Sequence, residues 1–190
     1  AKQAVAAPYQ GYPYGYLGPQ TEALAASRGE ETPPDLKESF NGGPAAVPDH
    51  VTDADALAVC YVPTPWPDLV GFETAWKTYY AAMEDLAARI MTAFAEALGL
   101  APDPFAAAIA DPISALRALH YPATVGQPLE KQQRAGAHSD YGSLTILLPQ
   151  PVSQGLQIAD GDNWVDVPTP EGAFVINIGD LMARWTANRW

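Results

Sequence analysis

The residues of this chain best suited to chemistry are His138 and Asp140, with Ser139 between them. In extended backbone, residues two apart project from the same face, so one imidazole nitrogen and one carboxylate oxygen would point toward a common position. Such donors suit Fe(II), and one further histidine would complete the two-histidine, one-carboxylate site of non-heme iron(II) oxygenases. The pair therefore predicts part of an iron site with open positions for O2 and substrate.

The third ligand cannot be assigned to either of the other two histidines, His50 and His120. Alternation along a predicted strand places Arg117, Leu119 and Tyr121 on one face and His120 on the other. His50 precedes a long predicted helix. We therefore expect neither of these histidines to complete the site.

Composition limits the classes of protein and partner. The chain has 190 residues, 48% of them hydrophobic, which is enough for one domain with a sizeable core. Its net charge of −12 comes from 22 acidic and 10 basic residues without a basic cluster. Nucleic acid and anionic membranes are therefore not expected partners. The sequence contains no run of 18 or more apolar residues, so it predicts no transmembrane helix. The single cysteine, Cys60, permits no internal disulfide, fits a cytoplasmic location, and is expected to be a small buried side chain rather than a nucleophile.

The elements that must position these residues change in character along the chain. Residues 1–51 are rich in glycine, proline and tyrosine and predict irregular structure, with a short helix at Thr21–Ser27. The apolar spacing over Asp68–Leu100 predicts a long helix with Asp68 as N-cap and Gly99 as the stop signal. It would cover a sheet.

After a second short predicted helix at Pro104–Ile109, the pattern shifts to short strands separated by turn signals. The predicted strands are Leu116–Tyr121, Ser143–Leu148, Gly155–Ile158, Trp164–Val167 and Ala173–Ile178. Helices followed by strands favour an α+β class with an antiparallel sandwich or jelly roll as its core.

Several segments match one family in chain order. They are Asp35–Phe40 (D-x-K-E-x-F), Trp66-Pro67, Leu116–Pro122 (L-R-x-x-x-Y-P), Ala137–Leu148 around H-x-D, Gly155–Ile158, Gly172–Asp180 and Arg184–Trp190. Together they resemble the isopenicillin N synthase-like branch of the iron(II)/2-oxoglutarate-dependent dioxygenases. Thr64-Pro65 departs from the Pro-Asn usual in that branch.

The resemblance implies a double-stranded β-helix, or jelly-roll, core that is incomplete at its C-terminal end and carries a long N-terminal scaffold helix. It implies one partial oxygenase domain over residues 1–190, with a coil and helical region at 1–112 and the first strands of the jelly roll at 113–190. Fe(II) would be the metal, 2-oxoglutarate the cosubstrate, and O2 and a small molecule the other reactants.

The resemblance also assigns roles to individual residues. His138 and Asp140 would be iron ligands. Tyr121 would lie in the cosubstrate or substrate pocket, although a packed core aromatic is an equally good interpretation. Asn177 and Asp180 are expected to be structural residues that cap a turn.

The departure from the family concerns its second iron-binding histidine and the R-x-S arginine that holds 2-oxoglutarate. Neither is found up to Trp190. We expect both to follow Trp190 in a longer protein, of which this chain would be an internal fragment. The 190 residues alone are then expected to be inactive and to hold iron weakly.

Two other functions stay open. One is an iron-dependent oxidase of the isopenicillin N synthase type that needs no 2-oxoglutarate. The other is an inactive jelly-roll binding module, against which the presence of both His138 and Asp140 argues. The substrate cannot be predicted, because fold alone does not fix function.

Overall fold

The computed structural model describes residues 2–101, 103–124, 126–151 and 154–190. It contains both helices and strands. The chain divides into two compact units, Ala1–His138 and Ser139–Trp190. Among the described residues, no helix combines the length and the apolar character needed to cross a membrane.

The first unit contains a three-stranded antiparallel sheet. Its strands β1 (Gly15–Leu17), β2 (Glu38–Gly42) and β3 (Leu116–His120) lie in the order β1-β2-β3. In the centre of the sheet, Phe40 pairs with Tyr16 on one side and with Ala118 on the other. This register brings two segments far apart in sequence, on β2 and β3, side by side.

The two faces of β2 differ in chemistry because successive side chains alternate. Ser39 and Asn41 are buried, and the preceding Asp35 and Lys37, which have the same parity, are buried too. Phe40 points to the opposite face, where it meets an aromatic cluster. The central strand therefore separates a buried polar face from the face that carries Phe40.

The first unit also contains two α-helices, α1 (Ala54–Val59) and α2 (Phe72–Ala97). At the start of α2, Phe72 and Trp76 pack edge-to-face on Phe40, with ring centroids 5.6 and 5.1 Å away. Such pairs add to the stabilisation from buried area. The predicted long helix, and its packing on a sheet, are confirmed.

The start of α2 differs from the prediction. Asp68 is not its N-cap: Gly71 precedes the helix with φ at 80°, a left-handed conformation that an α-helix cannot contain. The predicted stop is confirmed, since Gly99 has φ at 73° and its N–H bonds the carbonyl of Glu96.

The prediction of irregular structure over residues 1–51 is wrong in part, since β1 and β2 lie there. Both are short, and β2 carries polar residues with little intrinsic strand preference, so tertiary pairing decides their conformation. The predicted short helices are 3₁₀ turns at Leu24–Arg28 and Ala106–Ala108, and a third such turn covers Lys2–Val5.

The second unit contains two strand pairs and a helix. Strands β4 (Leu144–Leu147) and β7 (Val175–Ile178) pair antiparallel, and β5 (Gln157–Asp160) and β6 (Asn163–Asp166) form a hairpin. Helix α3 (Asp180–Trp185) follows β7 directly. The structure thus has a strand within or overlapping each of the five predicted strands.

Candidate metal centre

His138 and Asp140 lie where the two units meet along the chain: His138 ends the first unit, and Asp140 is the second residue of the other. The chain geometry limits their Cα atoms to a separation of about 7 Å. The segment lies outside the strands, and β4 begins only at Leu144. The Asp140 carbonyl accepts a hydrogen bond from the N–H of Asp180, at the start of α3.

The His138 ring is oriented by a backbone carbonyl. Its Nδ1 lies 2.7 Å from the carbonyl oxygen of Gly136. A carbonyl only accepts, so Nδ1 carries a proton, which leaves Nε2 as the ring nitrogen that a metal would take. Metal-binding histidines commonly have such a partner on the other ring nitrogen.

The Asp140 carboxylate is oriented by two side chains on one oxygen. Oδ2 accepts from Thr145 Oγ1 at 2.5 Å and from Asn177 Nδ2 at 2.8 Å. Thr145 in β4 and Asn177 in β7 are direct cross-strand partners. Side chains opposite each other in a sheet are close enough to reach one atom. Asn177 therefore holds Asp140, whereas the expectation from sequence was a residue that caps a turn.

The backbone around Asp140 is held by the turn between β7 and α3. Gly179 is buried there, and a Cβ atom on it would lie 2.1 Å from the carbonyl oxygen of Gly142 and 2.8 Å from that of Asp140. Only glycine permits this approach. Asp180, the first residue of α3, accepts a hydrogen bond from Ser139 Oγ at 2.9 Å. Both the side chain and the main chain of Asp140 are thus fixed within the second unit.

A buried ionic network occupies the polar face of the sheet in the first unit. Lys37 Nζ lies 2.9 Å from Asp35 Oδ2 and 2.9 Å from Glu22 Oε2. Arg117 donates to Glu22 Oε1 at 3.0 Å and to Asn41 Oδ1 at 2.8 Å. Burial alone would raise the pKa of Glu22, but the two cationic partners outweigh it and hold that pKa below its usual value.

Tyr121, the predicted pocket residue, follows β3 and is 40% exposed. Burial raises the pKa of its hydroxyl, and the carboxylates of Asp35 and Glu22 act in the same direction, while Arg117 opposes them. The hydroxyl therefore keeps its proton at neutral pH beside this network. Either interpretation of Tyr121, pocket residue or core aromatic, stays a prediction.

A second ionic cluster surrounds Glu38 on the other face of the sheet. Glu38 accepts from Lys2 at 2.6 Å, from Tyr16 at 2.5 Å and from His120 at 2.7 Å. These hydrogen bonds lower the pKa of Glu38 to about 2. His120 thus faces away from Arg117, as strand alternation predicts.

His50, the remaining histidine, lies 2.8 Å from the carboxylate of Asp111. Within the part of the chain that the structure describes, no three histidine, cysteine, aspartate or glutamate side chains are grouped so as to hold a metal ion. The chemistry of the donors nevertheless fits Fe(II): His138 has a fixed tautomer and Asp140 a carboxylate with supporting hydrogen bonds.

Comparison with known proteins assigns the family. The profile of the 2OG-Fe(II) oxygenase superfamily matches residues 112–190. Validamycin A dioxygenase of Streptomyces hygroscopicus subsp. limoneus is 34% identical, over 98% of this chain and 51% of its own length. A 2-oxoglutarate-dependent dioxygenase of Aspergillus niger is 34% identical, over 83% of this chain and 50% of its own length.

A solved structure agrees. The crystal structure of a full-length Neurospora crassa protein in complex with alpha-KG and thymine matches with a TM-score of 0.77 and 30% identity, over 98% of this chain and 57% of that one. Residues 112–190 thus belong to the 2OG-Fe(II) oxygenase superfamily. The chain spans about half the length of the curated relatives it matches. The resemblance to that superfamily is confirmed, and the narrower isopenicillin N synthase-like branch stays a prediction.

Proposed function

We propose that the protein is a non-heme iron(II), 2-oxoglutarate-dependent oxygenase that oxidises a small organic molecule. The observation that supports this most directly is the orientation of the Asp140 carboxylate by two cross-strand donors, two residues after His138. This arrangement holds a half-buried carboxylate in one orientation, as a metal ligand requires. Membership of the superfamily supplies the identity of the metal and the cosubstrate.

His138 and Asp140 would hold the iron through Nε2 and through the carboxylate. Bound iron and 2-oxoglutarate would together supply the oxidative chemistry with O2. The protein's own contribution is to fix the imidazole tautomer through the Gly136 carbonyl and to fix the carboxylate through Thr145 and Asn177. These hydrogen bonds orient the two ligands in advance, so that neither has to reorganise when the metal binds.

The third ligand and the arginine for 2-oxoglutarate are part of the same proposal. In this proposal both lie in the part of the protein that the chain does not span, since it covers about half the length of its curated relatives. The strands β3 to β7 would then be the first part of a double-stranded β-helix, with α2 as its scaffold helix. Tyr121 would line the cosubstrate or substrate pocket at the end of β3.

The proposed substrate class is a small organic molecule, with O2 as co-reactant. The net charge of −12 argues against nucleic acid and anionic membranes as partners. The single cysteine, Cys60, is a free thiol and supports a cytoplasmic location.

The test uses the intact protein and the variants His138→Ala and Asp140→Ala. The matched control is His50→Ala, since His50 is a histidine too but bonds the carboxylate of Asp111. Succinate released from 2-oxoglutarate under air is the readout, and circular dichroism verifies folding. We expect both ligand variants to lose succinate release and the control to keep it.

Two results would overturn parts of this proposal. Normal succinate release by both ligand variants would remove His138 and Asp140 from the metal centre. Substrate oxidation that continues undiminished without 2-oxoglutarate would instead favour an oxidase of the isopenicillin N synthase type.

A further inference from the structure

Asp35 is only 2% exposed, and its carboxylate accepts hydrogen bonds from three donors. Oδ2 accepts from Lys37 Nζ at 2.9 Å and from the backbone N–H of Leu24 at 3.2 Å. Oδ1 accepts from the backbone N–H of Gly136 at 3.0 Å. The last bond joins two segments that are 101 residues apart in sequence.

Gly136 connects the Asp35 carboxylate to His138. Its N–H is held by Asp35, and its carbonyl accepts from His138 Nδ1 at 2.7 Å. The two groups belong to the peptide units on either side of one Cα, whose relative orientation is set by the φ and ψ of Gly136. Packing around Gly136 limits those two torsions. A Cβ atom on Gly136 would lie 2.7 Å from the backbone nitrogen of Ala25 and 2.9 Å from its Cβ. Gly136 is therefore clamped by a hydrogen bond on one side and by close packing on the other.

The charge of Asp35 is matched by its surroundings. The Lys37 ammonium is 3% exposed and also binds Glu22, which is bonded in turn by Arg117. A buried ammonium requires its anionic partners, because an unpaired buried charge is costly. Lys37 thus keeps Oδ2 turned toward itself, which leaves Oδ1 directed at Gly136.

We infer that Asp35 is a positioning residue for the metal ligand His138, acting through the backbone of Gly136. The inference rests on the proposed function, because it takes His138 to be a metal ligand. The buried pair Asp35–Lys37 is then the part of the D-x-K-E-x-F segment that serves the metal centre. Its contribution is to set which nitrogen of His138 carries the proton and the direction in which the ring points.

The first experiment needs no metal. The intact protein is labelled with ¹⁵N, and the tautomer of each histidine ring is read from its nitrogen chemical shifts. His50 and His120, which bond carboxylates elsewhere in the first unit, serve as internal references. We expect Asp35→Ala to lower the Nδ1–H population of His138 and to leave both references unchanged.

Two further variants make the result specific. Asp35→Asn keeps an oxygen for Gly136 but cannot accept from Lys37 with its amide nitrogen, so a smaller change in the same direction is expected. Asp53→Asn is the control, because Asp53 also accepts a backbone N–H, that of Ala56 at 2.8 Å, but does so at the start of α1. It should leave the His138 tautomer unchanged. If Asp35→Ala does not fold, Asp35→Asn decides by the same criterion.

The second experiment measures Mn(II) affinity by electron paramagnetic resonance, with Mn(II) as a redox-stable substitute for Fe(II). Asp35→Ala should weaken binding by about 10–100-fold, as loss of outer-shell partners typically does. Wild-type tautomer populations in both Asp35 variants would overturn the inference whatever the metal affinity. Unchanged Mn(II) affinity in His138→Ala would instead overturn the proposed metal centre, and the tautomer measurement would still judge Asp35.

Discussion

Thr145→Val and Asn177→Ala should each weaken metal binding without unfolding the protein. Thr145 and Asn177 both donate to Oδ2 of Asp140, at 2.5 and 2.8 Å. Valine keeps the shape of threonine and removes only the donor. Without one donor the carboxylate gains rotational freedom, and the metal must then restrict that freedom when it binds.

The magnitude follows from the kind of hydrogen bond. A hydrogen bond to a charged group contributes about 1.5–3 kcal/mol. The lower end applies here because Asn177 is exposed to solvent. Since about 1.4 kcal/mol corresponds to a tenfold change in Kd, each variant should weaken Mn(II) binding about tenfold. Both donors act on one oxygen, so the double variant should lose less than the sum of the two single losses.

The assay is a Mn(II) titration followed by electron paramagnetic resonance, alongside thermal unfolding of each variant. The matched control is Gln157→Ala, which removes an amide-to-carboxylate bond of 2.9 Å between cross-strand partners Gln157 and Asp166 in the β5–β6 hairpin. The control should bind Mn(II) as the wild type does. Thr145→Val and Asn177→Ala proteins that bind as tightly as the control would refute the reasoning.

Two further predictions concern stability. Gly136→Ala should destabilise the protein by about 1–3 kcal/mol, because its Cβ would overlap Ala25, and thermal unfolding measures this loss; an unchanged melting temperature would contradict the clamp. Glu38 has a folded-state pKa of about 2, below its usual value of about 4.5, so its stabilising contribution is complete above pH 4.5 and is lost as the pH falls toward 2. Glu38→Gln should therefore lose less unfolding free energy than the wild type between about pH 5 and pH 3 in urea titrations, and equal losses would contradict the ion cluster.

The sequence predicted the elements that rely on local periodicity. Helix α2 and strand β3 follow from apolar spacing, and the stop at Gly99 follows from its left-handed conformation. The start of α2 was missed because the conformation of Gly71 decides it. Strand β2 was missed because its polar residues form a strand only through pairing with β1 and β3.

The same division holds for the metal centre. The spacing of His138 and Asp140 is visible in the sequence, whereas the groups that orient them are not. Asn177 meets Asp140 only through the register of β4 with β7. Asp35 bonds Gly136, which lies 101 residues away in sequence. One signal was available: Asn177 is the only polar residue in the strand Val175–Ile178.

The cross-strand origin of the two donors has a consequence for the order of folding. The β5–β6 hairpin is local and lies within the chain that joins β4 to β7. Hairpins close in about 1–10 μs, while the pairing of β4 with β7 must close a longer loop. Thr145 and Asn177 meet at Asp140 only after that closure. Metal capture during refolding should therefore follow the pairing of β4 with β7, and its rate should report on that step.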